Sequence, residues 1–235
     1  QEVRALRLVR TGRVLYDEEL LGLMGVFEDR GHAGALLAEA CVQAIRSADL
    51  VYAIPRGGVP VAVPVAGALG AELDLLICRK LLIPWNREAG FGAVSPDGHV
   101  YVDQRLARAL GLTREEVREA IDEQLREVAQ RNERLRGGRG YPRLDGKRVV
   151  LVDDGIAAGY TMGAAAKFVR ARGASELVIA VPTGHLEAVL RLAELADLLI
   201  CLNLRSGPVF AVADAYRRWR DLTDEDVLRA LKRAR

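Results

Sequence analysis

Short unbroken apolar runs alternate along this chain with stretches in which apolar residues return at helical spacing. The first helical stretch covers residues 29 to about 45, where Leu36, Leu37, Ala40, Cys41, Ala44 and Ile45 share one face. Leu50-Val51-Tyr52-Ala53-Ile54 follows. It is short, partly β-branched and stopped by Pro55 and Gly57-Gly58, which predicts a buried parallel strand. Residues 59–69 are small and apolar and predict a helix; Pro60 suits its first turn and Pro64 predicts a kink. A second buried strand is predicted over residues 73–78.

Residues 81–98 mix Gly, Pro and polar side chains and predict a long loop, closed by a hairpin around Ser95-Pro96-Asp97-Gly98. A long helix is predicted from Thr113, which forms a capping box with Glu116, to about Leu135, with Gly137-Gly138 as its stop. Its charged run predicts a solvated face laced by Glu–Arg pairs three and four residues apart. The second half is more regular, with strands predicted at 148–152, 177–181 and 198–202 and helices at 161–172 and 185–195. Thr223 with Asp226 predicts the start of a last short helix. Strands alternating with helices predict an α/β fold, a parallel β-sheet flanked by helices. Residues 137–140 are the best candidate hinge, yet the halves on either side are expected to share one sheet.

Composition narrows the function. With 235 residues, half of them hydrophobic, the chain has the apolar surface that a disordered chain lacks. The length suits one full-sized domain or two small ones. The 34 basic side chains are nearly cancelled by 32 acidic ones, and a net charge of +2 argues against a general nucleic-acid binder. Only four of the basic residues are lysine: Lys80, Lys147, Lys167 and Lys232. No apolar run reaches the roughly 18 residues of a membrane span. Arg4, Arg7 and Arg10 interrupt the N-terminus, against a secretory signal there. Cys41, Cys78 and Cys201 sit apart in apolar runs, which predicts buried free thiols rather than a zinc site or a disulfide. A cytoplasmic protein is expected.

The segment with most chemistry in it is Val149-Val150-Leu151-Val152-Asp153-Asp154-Gly155-Ile156-Ala157-Ala158-Gly159-Tyr160-Thr161. Four apolar residues predict a buried strand, and two carboxylates stand at its C-terminal end. The small residues after them let backbone N–H groups approach an anion, and Thr161 is expected to cap the next helix. Ligands of open α/β sheets sit at the carboxyl ends of the strands. The loop therefore suits a phosphate, and the acidic pair suits hydroxyl groups or the water shell of a metal. A strand–loop–helix junction with two solvated acids would share the pattern. Ile54-Pro55-Arg56-Gly57-Gly58-Val59 lies at a second such junction, where Gly57 and Gly58 permit close backbone approach and Arg56 offers a bidentate partner for an oxyanion.

The segment Asp153–Thr161 resembles the phosphoribosyl-pyrophosphate signature of the type I phosphoribosyltransferases. The match runs through the apolar strand, Asp153-Asp154, Ile156, Gly159 and Thr161. One departure is Ala158, where the family often carries Thr or Ser. Phe27-Glu28-Asp29-Arg30, the Ile54–Pro60 turn, Arg79-Lys80-Leu81, Phe210-Ala211-Val212 and Tyr216 resemble a bacterial branch of the family sometimes joined to hydrolase domains. The resemblance extends over about residues 20 to 232.

The resemblance implies one phosphoribosyltransferase-like domain over residues 1–235. Its core covers about 30–202, and a small hood is formed from about 1–30 and 203–235. It implies Mg²⁺-dependent transfer from phosphoribosyl pyrophosphate to a nucleobase-like acceptor, with release of pyrophosphate, a glycosyltransferase reaction of nucleotide metabolism. Asp153 and Asp154 would serve the ribose, and Ala157, Ala158, Gly159, Tyr160 and Thr161 the 5′-phosphate. Arg56, Gly57 and Gly58 would grip the pyrophosphate. Arg79 and Lys80 would present cations from the start of a mobile loop, or stand as a solvated basic pair. The Mg²⁺ is expected to be held through substrate and water, with no protein metal ligand. Glu88 is a candidate partner inside the loop and His99 a candidate proton donor. Trp85 and Phe91 would close the lid or pack the hairpin; Phe210, Tyr216 and Trp219 would stack on a base or pack the core. The partners expected are the donor, a small acceptor and a second copy of the chain, with no nucleic acid and no membrane. A non-catalytic sensor of the same donor is the alternative function, and an inherited anion-binding scaffold a third.

Overall fold

The computed structural model describes residues 4–235. In chain order the elements are β1 (Leu8–Thr11), β2 (Val14–Asp17), α1 (Arg30–Ile45), β3 (Leu50–Ala53), α2 (Gly58–Leu69), β4 (Glu72–Leu75) and β5 (Arg79–Ile83). Next come β6 (Asn86–Val94), β7 (Val100–Val102), α3 (Gln104–Ala109), α4 (Arg114–Arg136), β8 (Arg148–Val152) and α5 (Tyr160–Ala171). The chain ends with β9 (Glu176–His185), α6 (Leu186–Ala193), β10 (Leu198–Arg205) and α7 (Asp224–Arg233).

The main sheet has the order β1-β2-β10-β9-β8-β3-β4, parallel throughout except where β1 folds back on β2. Its strands read as continuous apolar runs because both faces are covered. Alternate residues serve opposite faces. Tyr52, Val149 and Leu151 join α5 and α6 on one side, whereas Val51, Ala53, Val150 and Val152 join α1 and α2 on the other. Helix α2 continues through Pro64, whose ring lies where a Cβ on Gly34 of α1 would stand only 2.7 Å from it, so that the two helices pack closely.

Strand order reverses at β3. The chain passes from β3 outward to β4, then returns to lay β8 on the other side of β3. Open α/β sheets present a crevice beyond the carboxyl ends of the strands at such a reversal. Here those ends carry Pro55-Arg56-Gly57 and Asp153-Asp154.

The structure corrects several expectations. Most of residues 81–98 is strand rather than loop: β5, β6 and β7 form a separate antiparallel sheet, with α3 and α4 packed on it through Leu81, Phe91, Val94, Ala107 and Ala120. Only the second half of β6 is buried. Its exposed first half, Asn86-Arg87-Glu88, carries the polar residues that mimic a loop. Phe91 is buried in this packing, while Trp85 stays exposed at the β5–β6 turn. The hairpin β1–β2 and the short helix α3 carry no strong sequence signal. Strand β4 stops at Leu75, whereas β9 and β10 run on to His185 and Arg205. Among the described residues no ion pair joins two side chains of α4; its charges reach to other elements instead, as in Arg87–Glu123, Arg134–Asp224 and Arg136–Asp74. The three cysteines are buried and free. No described helix is long and apolar enough to cross a membrane.

Candidate active site

Strand β8 delivers Asp153 and Asp154 to the crevice. The Asp153 carboxylate accepts the Asp154 N–H at 2.8 Å, and Asp154 Oδ2 accepts from Arg30 Nε at 3.0 Å. Arg30 opens α1, just after the capping residue Asp29. Its other arm donates to the Arg220 carbonyl at 2.8 Å, and Trp219 covers its guanidinium with the ring centre 3.8 Å away. The Tyr216 hydroxyl donates to the Asp154 carbonyl oxygen at 2.5 Å, and its ring packs on Phe27. Burial, and then the Asp154 charge, pushes the Tyr216 hydroxyl well above the usual phenol range, so it stays a donor.

Burial and the neighbouring Asp154 charge hold the Asp153 carboxyl well above the usual carboxylate range. Asp154 is also raised by burial, against the opposing pull of Arg30. Two adjacent carboxyls disfavour each other's ionised form, and Arg30 offsets this for Asp154.

The Pro55-Arg56-Gly57-Gly58 turn is pressed onto this pair. A Cβ on Gly57 would lie 1.9 Å from Asp154 Oδ2, and one on Gly58 would lie 2.8 Å from the Val152 carbonyl oxygen. Both glycines are required by contact with β8, a reason absent from the local sequence. The peptide between Pro55 and Arg56 is cis.

On the other side, residues 155–159 run beside β9. Ile156 N donates to the Thr183 carbonyl at 3.0 Å, and His185 N to the Ile156 carbonyl at 2.8 Å. Gly159 adopts φ +82°, and a Cβ there would stand 2.8 Å from Leu192 Cδ1. Gly159, not Thr161, caps α5, because the turn into the helix needs that left-handed residue. Ala157 and Ala158 are exposed at the rim, with Tyr160 and Thr161 half-buried behind them. Among the described residues, the N–H groups of 157–161 find no backbone carbonyl. They point at the start of a helix, where an anion is favoured. Arg191 donates to the Ala158 carbonyl at 2.6 Å, and Tyr160 Oη to Asp103 Oδ2 at 2.9 Å, so the loop is braced from outside.

The opposite flank is cationic. Arg56 is exposed in its turn. Arg79 Nε donates to Gln124 Oε1 of α4 at 3.2 Å, and Lys80 Nζ donates to the Glu88 carbonyl at 2.9 Å, so Glu88 contributes backbone rather than charge. None of the ion pairs among the described residues includes Arg56, Arg79 or Lys80. His99 lies against Asp97 at 2.8 Å, within its own turn.

The site thus has unpaired cations on one flank, two carboxylates in the middle and unsatisfied N–H groups on the other. That order suits a molecule with anionic groups at both ends and hydroxyls between them. Among the described residues no group of three or more His, Cys, Asp or Glu side chains could hold a metal ion. Arg30 has no role assigned from sequence, and Tyr216, expected to stack on a base or pack the core, holds the Asp154 carbonyl as well. Arg30 is an ordinary first-turn residue in sequence, and Tyr216 lies 62 residues from the carbonyl it holds. The aromatics Tyr216 and Trp219 are committed to packing and to covering Arg30; Phe210 sits edge-on to the His185 ring.

A family model described as a phosphoribosyl transferase domain matches residues 98–209. Two Mycobacterium tuberculosis proteins, from strains CDC 1551 and H37Rv, carry the provisional name of phosphoribosyl transferase. Each is 41% identical to this chain over 211 residues, which is 90% of this chain and 47% of theirs. The chain therefore spans about half the length of these curated relatives. The crystal structure of TT1426 from Thermus thermophilus is 38% identical and aligns with a TM-score of 0.71, over 87% of this chain and 97% of that one.

Proposed function

This chain belongs to the phosphoribosyl transferase family, and on that premise we propose that it transfers a phosphoribosyl group from phosphoribosyl pyrophosphate to a nucleobase-like acceptor, releasing pyrophosphate. The observation that carries the reading is the meeting of two loops at the point where strand order reverses. The Arg56-Gly57-Gly58 turn lies against Asp153-Asp154, with the unsatisfied 157–161 amides beyond them.

In this reading the 5′-phosphate takes the N–H groups of Ala157 to Thr161 and the N-terminal end of α5. The ribose hydroxyls donate to Asp153 and Asp154. The pyrophosphate takes Arg56, the backbone at Gly57-Gly58, and the cations Arg79 and Lys80. As the bond from the anomeric carbon to pyrophosphate lengthens, positive charge grows on the sugar and negative charge on the leaving group. The carboxylates face the first and the guanidinium groups face the second, which is electrostatic preorganisation without a covalent nucleophile.

Mg²⁺ fits this site only as a partner of the substrate. Asp154 is committed to Arg30, the Asp153 carboxyl lies against that of Asp154 besides accepting its N–H, and among the described residues no third ligand stands with them. A bound Mg²⁺ would neutralise pyrophosphate charge. The raised affinity of Asp153 for a proton also means that a nearby cation would favour its ionised form.

The test is to incubate the protein with phosphoribosyl pyrophosphate, Mg²⁺ and a panel of purine and pyrimidine bases. Pyrophosphate release that depends on one base supports transfer. Tight donor binding with no turnover for any base would replace this reading with that of a sensor. Binding of simple phosphate without preference for the donor would leave only an anion-binding scaffold.

A further inference from the structure

Helix α4 looks at first like a long solvated brace, yet one of its arginines does not fit that role. The buried stripe of α4 runs through Ala120, Gln124, Val128 and Leu135. Arg131 falls on the same stripe, three residues after Val128 and four before Leu135. It is half-buried rather than exposed.

Its position along the main sheet follows from its neighbours on the helix. Gln124 touches Arg79, beyond the carboxyl end of β4, and Arg136 is paired with Asp74 inside β4. Arg131 lies between those two anchors, over the carboxyl end of β4. The next strand is β3, whose carboxyl end carries Arg56. Arg56, Arg79 and Arg131 thus come from a turn, a strand and a helix to one edge of the crevice.

Among the described residues no carboxylate answers them. Asp224, whose charge acts on Arg131, is already held by Arg134 at 2.8 Å. The other Asp224 oxygen has no hydrogen-bond partner among those residues, and neither oxygen comes within ion-pair distance of Arg131. The Arg131 guanidinium is pulled below its ordinary range by burial and then by the charges of Arg79 and Arg56. Asp224 opposes that shift without reaching ion-pair distance, and three like charges at the end of a sheet favour an anion of more than one charge.

We propose that Arg131 is a third guanidinium of the pyrophosphate subsite and gives it preference for a diphosphate over a monophosphate. This rests on the reading of the site given above. A monophosphate is short enough to be satisfied by the Arg56 turn alone, whereas the second phosphoryl group extends towards Arg79 and α4. The Arg131 arm reaches that second group.

The experiment is calorimetric titration of the full chain with inorganic pyrophosphate and, separately, inorganic phosphate, each with Mg²⁺. The R131Q protein is expected to bind pyrophosphate about tenfold more weakly or worse, with phosphate affinity changed less than about threefold. Donor KM and product inhibition by pyrophosphate should move with it, while acceptor KM stays. R131K should recover part of the affinity. R134Q and D224N should bind as wild type does, because they alter charge beside Arg131 without removing it. Equal pyrophosphate binding by wild type and R131Q would overturn the inference and leave the family reading intact. So would D224N reproducing R131Q, since Arg131 would then be a structural partner of Asp224. Wild type that binds neither pyrophosphate nor the sugar donor would overturn the underlying reading as well.

Discussion

Arg131 and Arg136 stand five residues apart on one helix and do opposite things. Arg136 is almost wholly enclosed: its guanidinium meets both oxygens of Asp74 at 3.0–3.1 Å, donates to the carbonyl of Arg139 and lies 3.7 Å from the centre of the Tyr141 ring. Every donor direction finds a partner, so the charge is locked into the frame. Arg131 lies on the helix face of Gln124 and Leu135 instead, and enters no ion pair among the described residues; the charges of Arg79 and Arg56 act on it against an opposing pull from Asp224. The carboxylates divide the same way. Asp154 is answered by Arg30, whereas Asp153 has a backbone N–H and the neighbouring Asp154 carboxyl but no cation within ion-pair distance among the described residues. A charge whose partner comes from the protein holds the fold together. A charge left without one marks where a ligand supplies the partner.

The strongest way to break this comparison is at the acidic pair. Replacing Asp153 and Asp154 together by Asn should lower turnover about a thousandfold or more, read as pyrophosphate release, because the charge facing the sugar is removed while shape is kept. An unchanged rate would sink the assignment of the pair to the reacting sugar. Next in size is R136M. It strips Asp74 of its main partner and should cost about 3 kcal/mol of stability, measured by denaturant unfolding, with donor affinity per folded molecule kept. If R136M lost donor affinity instead, the division between framework and ligand arginines would fail.

G57A tests the contact between the two loops. The new methyl group would meet Asp154 Oδ2 well inside contact distance, so the turn or the Arg30–Asp154 pair must move. A stability loss of about 1–3 kcal/mol is expected, together with weaker donor binding. A G57A protein with wild-type affinity would show that the turn is not held against the acidic pair.

A pH series sharpens the contrast between Asp153 and the paired acids. The folded protein holds the Asp153 proton more tightly than the unfolded chain does. Its contribution to stability is therefore least unfavourable at acid pH and worsens as pH rises above the ordinary carboxylate value of 3.8. D153N removes that cost, so it should melt higher than wild type at neutral pH, with the gap closing near pH 4. Asp226 has the opposite sign: Arg220 and the Thr223 N–H hold it below its ordinary value, and its stabilising share is lost as pH falls through the acid range. A melting gap for D153N that did not shrink on acidification would contradict the raised Asp153 affinity. The smallest effect is expected for R134Q. Its arginine is mostly exposed, and the ion pair with Asp224 should be worth less than about 1 kcal/mol.

The frame was legible in the sequence because its signals are local. A strand buried on both faces must be apolar at every position, and Val149–Val152 is. Thr113 and Glu116 cap α4 as their spacing requires, and Thr223 with Asp226 does the same for α7. The acidic pair and the small-residue loop after β8 also follow one another directly in the chain. The β5–β7 sheet was less legible. Its second strand is exposed for half its length, so the period of two is written only in Gly90 to Val94, where glycines blur it. Gly90 and Gly92 are there because the Lys80 side chain and the Tyr101 backbone pass within contact distance of where a Cβ would stand.

What the sequence determined by itself was the order of the core strands β3, β4, β8, β9 and β10 with their helices, the pair of carboxylates at one strand end and the glycine turn at another. Each depends on residues a few positions apart. Tertiary structure alone decided which charges were answered. Arg136 finds Asp74 across 62 residues of chain, Arg30 finds Asp154 across 124, and Arg131 finds no carboxylate among the described residues. Thirty-four basic side chains look alike in composition. Pairing energy falls with distance, and folding sets the distances, so only the folded chain separates the arginines that brace the sheet from those that wait for an anion.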